Sequence, residues 1–518
     1  MIRSGKQKLL LILCAAFIVR LFQLFTVFAI SGDGPVYIEM ARNFYVGNLK
    51  AGLARDYPPL YPLLITGVYS ITRDWVVAGW LVSFVCGILT ILPIYYLARD
   101  VFGEKVAEVT AVLSAFYPAL SQYSVVVLSQ SVYVFLFMMT VWLGWKAITN
   151  NSKRMYFLTG LLSGLNYLAR PEGLGIVIVM ALYTFSTGFS SFKNTYKKKI
   201  ILITIMCMGV FIFVAPYVLY VKGETGEWRL SKKKSIITAI TGSEDVTTPD
   251  NTGSYYLRIP CYSKLEGGYI KMLIEMSILF VRIYIPVLFL LMLFGLMSRK
   301  IIPWSLGYEI FIGIIILFHI LVFSLFYLSE RQLMPLAAAS LFWAAIGFNE
   351  LHNLIITKVV WARERVKKNQ GKIFWILLTA VILTLLPYTF RPQDRDKIGQ
   401  RKVGEWMKEN CGENSYILTD MSRAAFYAGG YFVPLQNRLN IDKYEDLIKF
   451  AKTPNEGSYN YNSGRSHSID YIVIDKSRIA NCCPDFLDSV DSAILEEIHV
   501  QPKLEHSTYG EIVVYKVK

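Results

Sequence analysis

The stretch SGDGPVYIEMARN, residues 31–43, follows an apolar run that reads over residues 9–30. Pro35 fits the first turn of a helix, where its missing amide proton costs nothing. From there Val36, Met40 and Phe44 fall on one stripe, with Tyr37, Ala41 and Tyr45 beside it. Glu39, Arg42 and Asn43 take the opposite face. The pattern predicts an amphipathic helix lying along a membrane interface, not crossing it. Asp33 would then stand where span and interface helix meet. Ser-Gly-Asp-Gly is equally ordinary turn chemistry, and Glu39 with Arg42 at i, i+3 makes an ordinary surface pair. Spacing alone leaves turn and function open for Asp33 and favours the surface pair for Glu39.

Working outward, 54% of the 518 residues are hydrophobic and the mean hydropathy is +0.42. A soluble chain of this length would expose too much apolar surface, so a multispanning membrane protein is expected. Apolar runs recur near 9–30, 75–97, 106–122, 124–148, 155–169, 174–188, 199–221, 272–297, 304–328, 333–348 and 373–389. With the amino terminus in the cytoplasm, the loops RDVFGEK, NNSKR, FKNTYKKK, SRK and WARERVKKNQGK all fall on the cytoplasmic side. That is the positive-inside pattern, and it predicts about eleven spans. It also accounts for the net charge of +15, so no nucleic-acid partner is expected. MIRSGKQK before the first run reads as the start of a retained signal anchor. Arg20, inside that run, lies roughly 20 Å from Asp33 at helical rise. It is expected to pack against a neighbouring helix or to snorkel inward.

The remaining segments then face out of the cytoplasm: the loops 31–74 and 222–271, the turns ARPEG and LSERQ, and the tail from 390. In the tail, DKIGQRKVGEWMKEN has helical periodicity, and SYILTD, YFVPLQ, DYIVID, AILEEIHV and EIVVYKV read as strands. The expected fold is an α-helical polytopic membrane domain over 1–389 and a small extracytoplasmic α/β domain over 390–518. The tail's plain reading is a folded cap without chemistry. Cys14, Cys86 and Cys207 sit in spans; Cys261, Cys411, Cys482 and Cys483 fall outside, where disulfides are permitted. No Cys or His spacing suits zinc.

The stretch RDYPPLYPLLI, residues 55–65, has two prolines that break helix and a third at the mouth of an apolar segment, with Tyr57 and Tyr61 between them. Taken together, D-x-P-x-Y-x-E-x-A-R followed by Y-P-P-L-Y-P resembles the polyprenyl-phosphate-sugar-dependent glycosyltransferases of the GT-C superfamily. The likeness is to the protein O-mannosyltransferase and aminoarabinose transferase branch. ARPEG at 169–173 and ERQLMPL at 330–336 look like that family's later outer loops. SYILTDMSRAAFYAGGYFVPL resembles the start of its extracytoplasmic tail domain. The order and shared sidedness of these motifs carry the resemblance, which covers most of the membrane part.

The resemblance implies an integral membrane enzyme of the plasma or inner membrane. It would move a sugar from an undecaprenyl- or dolichyl-phosphate donor to an acceptor hydroxyl or phosphate on a lipid, glycan or protein. The first outer-loop aspartate of the family takes the acceptor's proton, and Asp33 holds that place here. The leaving phosphate needs fixed positive charge, for which arginine's fork is suited. Arg331 is the first candidate, with Arg55 and Arg170 behind it. Glu39 would support the site, and Tyr57 and Tyr61 would wall it.

Two departures from the family bear on cofactors. Many relatives follow the first aspartate with an acid, where Gly34 stands here, and many carry an acid at the position of Gln130. Divalent cations need several oxygen ligands, so transfer without a metal or other cofactor is expected. A transporter would show inverted repeats and midplane charges, neither of which is seen. A ligase using a diphosphate-linked donor remains the alternative within lipid-linked chemistry, without support from YPPLYP or ERQLMP.

Overall fold

The computed structural model describes residues 5–186, 196–232, 268–298, 303–324, 330–358, 369–434, 469–477, 479 and 494–518. Most of the 222–271 loop with Cys261, the cores of the basic stretches at 187–195 and 359–368, and Cys482 and Cys483 lie outside the described residues. The described residues form two compact units. One is built from the stretches 1–24, 57–242 and 258–391, the other from 25–56 and 392–518.

The first unit is helical, and each apolar run of the sequence holds a helix among the described residues. Among the described residues six helices are long and apolar enough to cross a membrane, or up to eight if each of two bent helix pairs is one span. The other three runs form shorter helices, Glu104–Phe116, Lys153–Ala169 and Gly175–Ser186. Prolines set their limits. Pro118 and Pro171 follow the first two, and the residue before a proline is pushed out of helical geometry: Tyr117 has ψ 117° and Arg170 ψ 133°. The run at 272–297 is not one continuous span. It turns by 98° between the helices Tyr269–Ile283 and Ile285–Ser298. Ile285 there takes φ 61°, next to Pro286.

Packing in this unit uses small residues and buried polar groups. A Cβ on Gly160 would collide with the Met206 carbonyl, and one on Gly209 would meet the Phe157 carbonyl, so Lys153–Ala169 and Tyr196–Thr225 approach backbone to backbone. Arg20 is fully buried and donates to the carbonyls of Ala16 at 3.2 Å, Ala115 at 3.1 Å and Gly87 at 3.5 Å. Ala115 lies in the last turn of its helix, where carbonyls lack intrahelical partners. Arg20 is thus a structural cap between helices, which decides against snorkelling.

The second unit contains a five-stranded sheet: β1 (Tyr416–Thr419), β2 (Tyr431–Pro434), β3 (Tyr471–Asp475), β4 (Leu495–Gln501) and β5 (Ile512–Val517). The spatial order is β2-β1-β3-β5-β4. β1 pairs parallel with β2 and β3, and β5 pairs antiparallel with β3 and β4. Alternation splits the strands between two cores. Leu418, Ile472, Ile474, Val513 and Tyr515 share one cluster. Ile417, Val473, Ile512 and Val514 pack on the other side with Val403 and Met407 of the helix Ile398–Asn410 and Ala424 and Ala425 of Ser422–Tyr427. The helix and strands expected in the tail are all present.

This unit also holds residues 25–56. The first helix stops at Leu24, six residues before the apolar run ends. The segment beyond it turns at Phe25 and Thr26, and Val27 then forms a parallel bridge with Gln393, whose amide donates to the Thr26 carbonyl at 2.8 Å. Its hydrogen bonds come from outside the helix, so hydropathy alone placed the end too late.

Candidate functional site

Asp33 occupies the N-cap position of the helix Gly34–Tyr45, with proline in the first turn as the sequence predicts. Its backbone carbonyl accepts from the Tyr37 amide at 3.2 Å, while its side chain makes no capping hydrogen bond. The carboxylate is half-buried. Gly34 leaves room for a packed neighbour: a Cβ there would lie 2.6 Å from Cγ1 of Ile30. The helix buries Tyr37, Ile38, Met40, Ala41 and Phe44 and exposes Arg42, close to the expected amphipathic split.

The segment leading to Asp33 is held by side chains of the α/β region. Ile30 donates its amide to the Tyr427 hydroxyl at 2.8 Å, and Arg423 Nε donates to the Ile30 carbonyl at 2.6 Å. Arg423 also pairs with Asp394 at 2.8 Å. Two residues earlier, Arg401 donates to the Phe28 carbonyl at 3.1 Å. Burial raises the Tyr427 hydroxyl's pKa above its ordinary value, so the phenol is neutral.

After the interface helix the chain reverses at Gly47, with φ 78°, and Asn48 caps a short turn by accepting from the Ala51 amide. A Cβ on Gly52 would collide with the Phe44 ring, so the returning chain lies directly on the helix. That path brings Arg55 back to Glu39, where Nη2 donates to both carboxylate oxygens at 2.8 and 3.1 Å. Glu39 and Arg55 therefore stand as an ion pair.

In the helical unit, Tyr61 is buried and its hydroxyl bonds with the Gly79 carbonyl at 3.0 Å and Ser83 at 2.9 Å. Tyr57, four residues earlier, is half-buried. A second polar cluster forms around Gln130. Its side-chain oxygen accepts from Arg170 Nη1 at 2.9 Å, and its Nε2 donates to the Arg331 carbonyl at 2.5 Å. Arg170 also pairs with Glu172 at 3.1 Å and lies over the Tyr133 ring, 5.5 Å from its centroid. So the structure brings Arg170 to the segment that bears Arg331, with Gln130 as the link.

The reason Gln130 can reach that carbonyl is Pro335. A proline inside a helix has no amide hydrogen to offer the residue four positions earlier, which here is Arg331. Gln130 supplies the missing donor. The sequence presented Gln130 only as a lost acid; the spacing from Arg331 to Pro335 was the signal that a donor was needed. Tyr133, Arg423 and Tyr427 had no such signal, because their partners are remote in the chain.

Each unit, taken by itself, carries polar groups of a kind that transfer chemistry uses. One places a partly buried carboxylate at the start of a fixed helix. The other holds Arg331, half-buried in the first turn of Glu330–Ser340, with its backbone carbonyl bonded to the same Gln130 side chain that receives Arg170.

Residues 56–220 match the family described as dolichyl-phosphate-mannose-protein mannosyltransferase. No curated protein matches the chain. Among solved structures, ArnT from Cupriavidus metallidurans in the apo state is similar, with TM-score 0.63 and 11% identity over 99% of this chain and 98% of that one. The same protein bound to undecaprenyl phosphate gives TM-score 0.62 and 12% identity over 99% of each chain. The archaeal oligosaccharyltransferase AglB from Archaeoglobus fulgidus, in complex with an inhibitory peptide and a dolichol-phosphate, gives TM-score 0.53 and 13% identity. That likeness covers 91% of this chain and 69% of the other. The chain thus shares, over its length, the fold of these membrane proteins, and residues 56–220 carry the resemblance to that mannosyltransferase family.

Proposed function

We propose that the chain transfers a sugar from a polyprenyl-phosphate donor to an acceptor hydroxyl at the extracytoplasmic face of the plasma or inner membrane. The observation that carries this reading is the whole-length likeness to ArnT, which has been solved with undecaprenyl phosphate. The likeness to AglB, solved with a dolichol-phosphate, supports the same donor class. The acceptor oxygen attacks the anomeric carbon, the bond from that carbon to the phosphate oxygen breaks, and the lipid phosphate leaves with its electron pair. Asp33 accepts the hydroxyl proton as the new bond forms.

Arg331 holds the departing phosphate, and Arg170, fixed by Gln130 and Glu172, adds positive charge behind it. Arg55 serves through its pair with Glu39, keeping the returning loop against the interface helix. Tyr57 walls the site, and Tyr61 anchors that wall from within. No metal takes part, because Gly34 and Gln130 replace the acids that would bind one. The orientation follows from the basic loops, which put Asp33 and the tail outside the cytoplasm.

The test is Asp33→Asn in nanodiscs, with turnover and donor affinity measured separately. General-base help is typically worth about 10²–10⁴-fold, so turnover should fall at least about a hundredfold with donor binding kept. Near-normal turnover would make Asp33 a turn residue and end the assignment. Glu39→Gln should cost much less.

A further inference from the structure

Why should a small α/β domain accompany a membrane transferase? Its helix Ser422–Tyr427 lies in the stretch SYILTDMSRAAFYAGG, which the transfer chemistry leaves without a task. This short helix contributes one acceptor and one donor to a single residue, Ile30. The amide of Ile30 is taken by the Tyr427 hydroxyl and its carbonyl by Arg423. Ala29, Ile30 and Ser31 are all buried, so neither backbone group has water as a ready substitute.

Arg423 is itself fixed on its far side by Asp394, and its guanidinium lies 3.6 Å from where a Gly32 Cβ would stand. Ile30 in turn packs under Gly34, and the Ser31 carbonyl accepts from the Gly34 amide at 2.9 Å. The grip thus passes through residues 30–34, on which Asp33 is carried. We propose that Arg423 and Tyr427 are positioning residues that set the Asp33 carboxylate by clamping both backbone polar groups of Ile30. The inference rests on the reading of Asp33 as the proton acceptor. It gives the tail domain a role in turnover without contact with substrate.

The physical case concerns placement. Reacting groups must be held near their productive geometry, and a displacement of about 1 Å can cost on the order of a hundredfold in rate. Asp33 sits beside two glycines, Gly32 and Gly34, in a segment with little stiffness of its own. A charged donor on one side of Ile30 and a rigid phenol on the other restrict it. Arg423 suits the task because its planar fork satisfies the Ile30 carbonyl and the Asp394 carboxylate at once.

The experiment uses the full chain in nanodiscs with a polyprenyl-phosphate sugar, comparing Arg423→Ala, Tyr427→Phe and Asp33→Asn. Turnover is expressed per donor-binding molecule, so that unfolded protein is not counted. Tyr427→Phe keeps the ring and removes only the hydroxyl, which guards against a global folding defect. We expect both clamp variants to lose about tenfold to a hundredfold in kcat with donor KM within about twofold. Arg423→Lys, which can reach the carbonyl or Asp394 but not span both, should recover part of the loss. If Asp33→Asn is inactive while both clamp variants keep kcat within about twofold, the clamp is overturned and the general-base reading stands. If donor KM rises in step with the loss of kcat, the pair supports donor binding and the proposal is likewise overturned. If Asp33→Asn is itself active, the general-base reading fails, and the clamp's role in turnover falls with it.

Discussion

Gln130→Leu removes two interactions that meet in one amide. One is the charge-assisted bond from Arg170; the other is the bond to the carbonyl that Pro335 leaves without a helical donor. In a soluble core, a buried carbonyl left unsatisfied costs about 1–3 kcal/mol. Bonds between helices in a membrane average only about 0.6 kcal/mol, with a maximum near 1.7, because unfolded helices also find partners there. The second scale applies to the Gln130–Arg331 bond, which joins Gln130–Asn150 to Glu330–Ser340. Pro335→Ala restores an amide hydrogen for the Arg331 carbonyl. In that background, Gln130→Leu should therefore cost about 0.6–1.7 kcal/mol less than in the wild-type chain. The assay is a double-mutant cycle by denaturant or thermal unfolding in a fixed detergent. Gln130→Glu is the internal control, since it can accept from Arg170 but, ionised, cannot donate to Arg331. A Gln130→Leu penalty that is the same within about 0.3–0.5 kcal/mol with and without Pro335 would refute the reasoning.

Arg331→Ala should sharply weaken donor use, and Lys should rescue it only in part because it lacks the planar fork; an unchanged donor titration removes Arg331 from the site. The same assay should be indifferent to chelator, and activity lost in chelator and restored by a divalent ion would show that a metal takes part. A cysteine introduced in the tail after residue 390 should react with an impermeant reagent on intact cells, whereas labelling confined to the 361–372 loop would reverse the orientation. His499 stacks on Trp406 with centroids 4.0 Å apart, and burial lowers its pKa below the ordinary 6.5. The unfolded chain then binds that proton more readily, so this contribution to stability is complete above pH 6.5 and is lost as pH falls through the depressed value. His499→Phe keeps a stacked ring and should flatten the acid side of a plot of Tm against pH; an unaltered acid slope would place the titration elsewhere.

Local patterns determined much of this protein. Runs of apolar residues favour helices because a bilayer gives the backbone no other partner, and each of the eleven runs holds a helix among the described residues. Pro35 fixed the start of the interface helix, and alternation fixed the five strands of the tail, since both follow from geometry within a few residues. The end of the first helix was different. Residues 25–30 are apolar enough to continue it, yet their backbone is bonded by Gln393, Arg401, Arg423 and Tyr427, more than 360 residues further along the chain. The pairing of Glu39 with Arg55 likewise depended on a reversal at Gly47 and on close packing at Gly52. Gln130 shows the division most clearly. Pro335 announces in the sequence that the Arg331 carbonyl lacks a donor, but only the packing of two helices decides which side chain provides it. Hydropathy and propensity act over one or two turns, whereas the partner of a buried polar group is chosen by whatever the fold brings within 3 Å or so.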